Sequence, residues 1–141
     1  MLLAGLRLPN YDMIMIAFTP EQAEGLLQRV VSAFNASVRS GDFSAFVDLF
    51  ADDAVLEFEG INDYGPYTGH AAIAAKFATN PPDDQIRVTR WKTHGAQIVA
   101  EFKWLDIPEA IGGCLIITPG GERIAHITVA FGGPHCAFRL D

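Results

Sequence analysis

The chain has 141 residues, half of them apolar and 19% charged, and 10 basic against 17 acidic side chains give a net charge of −7. That is the length of one domain, apolar enough to bury a core and too apolar for a wholly disordered chain. The acidic balance argues against a nucleic-acid backbone binder, and no stretch reaches the roughly 20 apolar residues of a bilayer span.

Residues 1–18 read as an N-terminal extension. Arg7 and Asp12 interrupt its apolar run, so it lacks the layout of a signal peptide, and Met13 and Met15 offer later starts. Thr19-Pro20-Glu21-Gln22 then opens a helix. Thr19 suits the N-cap, Pro20 the first helical position, and Gln22 completes a capping box. Ala23, Leu26, Leu27, Val30, Val31, Phe34 and Val38 recur with the helical period, and Gly41 stops the run. Asp42 reads as the cap of a second, short helix with Phe43, Phe46, Val47 and Phe50 on one face.

From Ala54 to Glu59 the pattern alternates, as in a strand, with Leu56 and Phe58 on one side and Val55, Glu57 and Glu59 on the other. A turn-rich stretch over residues 60–66 follows, then a third helix from His70 to about Ala78 with Ile73 and Phe77 four apart. Asn80-Pro81-Pro82 ends it. The rest reads as strands: Ile86–Lys92, Gln97–Leu105, Gly113–Thr118 and Glu122–Phe131, with turns at Thr93-His94-Gly95 and Pro119-Gly120-Gly121. Helices first and a strand meander after give an α+β domain over residues 19–132, with a C-terminal tail over 133–141. Cys114 and Cys136 show neither a disulfide framework nor zinc-ligand spacing, so both read as unpaired thiols in a reduced, cytoplasmic chain.

The order of Ala33-Phe34, Ser40-Gly41-Asp42-Phe43, Leu49-Phe50-Ala51-Asp52-Asp53-Ala54-Val55 and Gly65-Pro66-Tyr67-Thr68-Gly69-His70 resembles the nuclear transport factor 2-like superfamily. Within it the chain is most similar to the SnoaL-like and ketosteroid isomerase-like branch. The resemblance implies a cone-shaped, curved antiparallel sheet packed on three helices of the N-terminal half. It also implies a homodimer through the outer sheet face, with His126, Thr128, Glu101 and Lys103. The isomerases of that branch use an Asp base with a Tyr and a protonated acid as oxyanion donors. Carried over position by position, the base falls on Phe58, the Tyr on Phe34, and the second acid near Gly113, so all three groups are missing. The Asp of limonene epoxide hydrolases falls on Val129, and their Tyr and Asn fall on Leu56 and Phe58.

What remains is an apolar cone lined by Phe34, Leu56, Phe58, Phe102, Trp104, Ile127, Val129 and Phe131, suited to a flat ring system. The same stripes serve equally as plain core filling. Three side chains stand as catalytic candidates. Glu59 shares a strand face with Glu57, and a bulge near Gly60 would turn it inward. Tyr67, with Asp63 and Tyr64 nearby, lies in the loop that rims the cone and has a hydroxyl to donate. His126 titrates near neutrality, though alternation sets it on the outer face. His126, His135 and Cys136 lack a recognised ligand spacing, so no metal and no cofactor are expected. The expected function is a small-molecule protein acting as an isomerase, cyclase or hydratase on an apolar cyclic substrate. The alternative is a non-catalytic module of the same fold that binds an apolar ligand or dimerises.

Overall fold

A computed structural model describes residues 18–60, 65–109 and 112–131. The first helix, α1 (Pro20–Ser40), starts on the predicted box: the Gln22 N–H donates to the Thr19 hydroxyl at 3.1 Å, and the Thr19 N–H donates to the Gln22 side chain at 2.8 Å. Two amides that a helix start leaves open are thereby satisfied. Gly41 closes the helix in the left-handed region, at φ 82°, and donates its N–H to the Ser37 carbonyl.

The second helix, α2 (Ser44–Val47), is shorter than the periodicity predicts, and Phe43 rather than Asp42 holds the N-cap position. Asp42 acts one residue earlier: its carboxylate accepts from the Ser44 N–H at 3.0 Å and the Ser44 hydroxyl at 2.7 Å. Those bonds, the backbone one first, hold the Asp42 carboxyl below its ordinary value. Phe50, expected on the helix face, instead opens strand β1 (Phe50–Glu59) and is fully buried. Pairing is what stops the helix. The Ile124 N–H takes the Leu49 carbonyl at 2.8 Å, and Phe50 is in register with Ile124.

A two-residue strand, β2 (Tyr67–Thr68), leads into helix α3 (His70–Thr79). Four strands follow: β3 (Ile86–His94), β4 (Gln97–Trp104), β5 (Gly113–Gly120) and β6 (Arg123–Phe131). The domain is α+β, with one curved, unclosed sheet in the order β2-β1-β6-β5-β4-β3. One pairing corrects the all-antiparallel expectation: β1 and β6 run parallel, with Leu56 opposite Ile127 and Phe58 opposite Val129. Parallel neighbours need a long crossover, which β2, α3 and the β3–β5 meander supply.

The inner face of the sheet packs on the helices. Leu56, Ala100, Phe102, Ile117 and Ile127 are all buried there, with Val30 of α1 and Ile73 of α3. Asn35 fastens α1 to the start of β3. Its amide donates to the Ile86 carbonyl at 2.9 Å, and its oxygen accepts the Ile86 N–H at 2.8 Å. The outer face is mixed. Glu101 accepts from the Thr89 hydroxyl at 2.8 Å and lies 3.3 Å from Arg90, and the Thr89 bond first holds its carboxyl below the usual range. A second buried cluster, Val99, Cys114 and Ala130, also belongs to this outer face. Cys114 stands in a disulfide, which corrects the expectation of an unpaired thiol at this position. Cys136 lies outside the described residues.

Candidate functional site

Curvature lifts the inner face of the sheet away from the helices and leaves a cavity of about 420 Å³. Val30 and Phe34 reach it from α1, Phe46 from α2, and Leu56 and Phe58 from β1. Phe102 and Trp104 come from β4, Leu115 from β5, and Ile127, Val129 and Phe131 from β6. All eight residues predicted to line the cone are in this wall. Alternation explains it: Leu56 and Phe58, Phe102 and Trp104, and Ile127, Val129 and Phe131 each stand two apart on their strands.

The rings divide into a closed end and an open end. At the closed end Phe34, Phe43, Phe46 and Phe77 meet mostly edge to face at centroid distances of 5.1–6.4 Å, with Phe43 and Phe77 stacked. At the open end Phe58, Phe131 and Trp104 stack in series. Phe58 and Phe131 are 6.3 Å apart at 8°, and Phe131 and Trp104 are 6.5 Å apart at 13°. These three rings are half-buried, whereas Phe102 and Leu56 beneath them are buried. They stack in a near-parallel series, and all three line the cavity.

Polar groups at the cavity come from the end of α3 and the segment after it: Lys76, Asn80 and Asp83. Asn80 and Asp83 are exposed, while Lys76 is half-buried, with Nζ 5.3 Å from the centroid of the Phe58 ring. Burial holds its ammonium below the ordinary lysine value. The sequence reading missed Lys76. The signal was present, since Lys76 follows Ile73 by three and so shares the inward face of α3 with Ile73 and Phe77.

The three catalytic candidates are not brought together. Tyr67, on β2 opposite Leu56, packs its ring edge-on to Phe58 at 6.5 Å and is not among the cavity-lining residues. Glu59 follows Phe58 and so points to the outer face, where it is in register with Ala130. His126 is also on the outer face and meets Glu57 rather than Glu59: Nε2 lies 2.7 Å from Oε2. The pair is ionic by distance, and the carboxylate stands out of line for a hydrogen bond from that ring nitrogen. His70 opens α3, and His94 ends β3 rather than sitting in the turn. Asp63, Tyr64, His135 and Cys136 lie outside the described residues. Among the described residues no three His, Cys, Asp or Glu side chains group as metal ligands. Gly113 leaves no room for a side chain, because a Cβ there would collide with the Ala130 carbonyl and meet the Phe102 ring at 3.2 Å.

Residues 28–131 match the family described as SnoaL-like domain. No curated protein matches the chain. Among solved structures it is similar to a SnoaL-like protein of unknown function from Burkholderia thailandensis, with a TM-score of 0.65 and 14% identity over 82% of this chain and 98% of that one. A nuclear transport factor 2-like protein of Anabaena variabilis superposes with a TM-score of 0.61 at 15% identity, over 86% and 98% of the two chains. A provisionally assigned ketosteroid isomerase of Kribbella flavida superposes with a TM-score of 0.57 at 20% identity, over 80% and 79%. At these identities the likeness is one of fold.

Proposed function

Since the chain belongs to the SnoaL-like domain family, we propose that its cavity binds an apolar, ring-bearing small molecule. The observation that carries this reading is the stacked series of Phe58, Phe131 and Trp104, three near-parallel rings from three strands that are half-buried and line the cavity. A flat ligand that stacks on a ring of this series gains about 0.5–1.5 kcal/mol per aromatic pair, beyond the burial of its own surface. The fold supplies the space, and by the resemblance the acid–base positions of ketosteroid isomerases fall on Phe34, on Phe58 and near Gly113. Binding is therefore the leading reading.

A second reading keeps catalysis, with the bound ring a substrate for isomerase, cyclase or hydratase chemistry. The packing of the Tyr67 ring edge-on to Phe58, a cavity-lining residue, favours it, because a tyrosine hydroxyl can donate a hydrogen bond to a carbonyl. Glu59 and His126 take part in that reading only through a partner molecule, since both face outward.

Phe58→Ala and Trp104→Ala are the test. Each is expected to weaken a neutral naphthalene-class probe about tenfold in calorimetric titration. Each is also expected to cost less stability than the roughly 3–5 kcal/mol of a core aromatic truncation. If no probe from steroid, polyketide and terpenoid panels gives saturable heat, and Phe58→Ala costs the full core value, the rings are packing and the reading fails.

The outer face supports a homodimer in the same proposal. Half-buried Glu57, Glu101, Lys103, His126 and Thr128 make the mixed surface of a wet two-fold contact. Sedimentation is expected to give a dimer at about tens of micromolar, and a monomer at that concentration removes this part. Among the described residues no helix is long and apolar enough to cross a membrane.

A further inference from the structure

The outer face of the sheet carries apolar side chains as buried as those of the core. Val99 is 1% exposed, Ile116 5%, and Cys114 and Ala130 0%. They are neighbours: Val99 pairs with Ile116 across β4 and β5, and Cys114 pairs with Ala130 across β5 and β6. The helices do not cover them. Buried residues of α1, α2 and α3 belong to the core on the other face, and the cluster of Val99, Cys114 and Ala130 contains no helix residue. A sheet face with nothing laid on it keeps its side chains in water. Chain from beyond the helices and strands therefore covers this patch.

Cys114 identifies that chain. It stands in a disulfide, and the sequence holds one other cysteine, Cys136. We infer that Cys114 is bonded to Cys136, and that the bond seats the C-terminal segment, residues 132–141, on the outer-face patch as a latch that a dithiol reductant opens. Strand β6 ends at Phe131, next to Ala130, the neighbour of Cys114. A bridge needs Cα atoms within about 7 Å. Continued straight, the five residues from Phe131 to Cys136 would carry the second sulfur about 16 Å past the strand end, so the chain has to turn back. Gly132-Gly133-Pro134 is a turn signal at that point. Strands β1 and β5 flank β6 on both sides, so the returning segment cannot join the sheet there. The inner face is taken by the helices and the cavity wall, which leaves the outer face. Opening is thiol–disulfide exchange. The external dithiol gives up two electrons and two protons, the Cys114–Cys136 bond breaks to two thiols, and the reductant closes to its own disulfide. Val99, Ile116 and Ala130 are then bared on the face proposed for the dimer contact.

Non-reducing tryptic mapping of the full chain, purified without reductant, tests the bond. The expected product joins residues 104–123 to residues 124–139, and reduction separates them with a gain of two hydrogens. A disulfide-linked dimer on a non-reducing gel, or the two peptides as unlinked thiols, overturns the inference. Maleimide labelling of Cys114 in full-length Cys136→Ser tests the cover. With the segment untied, Cys114 is expected to react within about tenfold of its rate in the urea-unfolded chain. Stronger protection means that another segment covers the patch, and the seat is overturned. Reduction of the wild type is expected to lower the melting temperature by about 10 °C. A shift below about 2 °C shows that the bond holds nothing in place and overturns the latch. Cys136→Ala replaces Cys136→Ser if the latter unfolds, and the peptide map needs no variant.

Discussion

Phe46→Ala is expected to lower the unfolding free energy by about 3–5 kcal/mol, the cost of a core aromatic truncation. Phe46 is only 5% exposed and touches four rings: Phe34 at 5.5 Å, Phe43 at 6.4 Å, Phe50 at 5.4 Å and Phe77 at 5.3 Å, all edge to face. Those four belong to α1, the turn after it, β1 and α3, so one side chain joins three elements and a connection. Helix α2 has four residues, far below the length at which a helix holds itself in water, so its conformation depends on this packing. Truncation leaves a cavity that four rigid rings cannot collapse into, which puts the cost in the upper part of the range. Urea denaturation measures it, with an unchanged slope expected. A loss below about 1.5 kcal/mol would mean that the rings close over the gap, and the hub reading would fail.

Isomerisation of a Δ5-3-ketosteroid is expected to run about 10⁴- to 10⁷-fold below a ketosteroid isomerase. The figure combines roughly 10²- to 10⁴-fold for a general base with about 10²- to 10³-fold for an oxyanion donor. By the resemblance those two groups fall on Phe58 and Phe34, which line the cavity, and neither has a proton to exchange. Gly113 adds a steric argument that the sequence does not contain. A second acid cannot be restored there, because even a Cβ strikes the Ala130 carbonyl. Ultraviolet detection of the conjugated product measures the rate, and turnover within tenfold of such an isomerase would show that another group does the proton transfer.

The parts of the fold legible in the sequence are those set by neighbours along the chain. Thr19, Gln22 and Gly41 fix α1 at both ends through contacts no more than four residues apart. The cavity wall was legible for the same reason, since alternation within a strand decides which side chains share a face. What stayed hidden depends on partners far along the chain. Phe50 fits a helical period, and only its pairing with Ile124 shows that it opens a strand. The two-residue β2 carries no periodic signal and exists because β1 offers an edge. Glu57 reads as one of two outward carboxylates, and its contact with His126 follows from the parallel β1–β6 pairing. Lys76 looks like an ordinary charged helix residue until the curvature of the sheet sets its ammonium over Phe58.

That parallel pairing also governs the order in which the molecule comes together. Leu56 and Ile127 are side by side in the sheet yet half the chain apart, so the entropy of closing that loop must be met before the contact gains anything. The β3–β6 hairpins, whose contacts are local, form with no such debt. Phe58 and Val129 face each other only once β1 has docked, so a chain folded everywhere else has a meander and three helices but no cavity. A ligand therefore binds the finished molecule and not its precursors. Its stabilisation falls on the unfolding rate, and a saturated protein survives longer under heat without folding any faster.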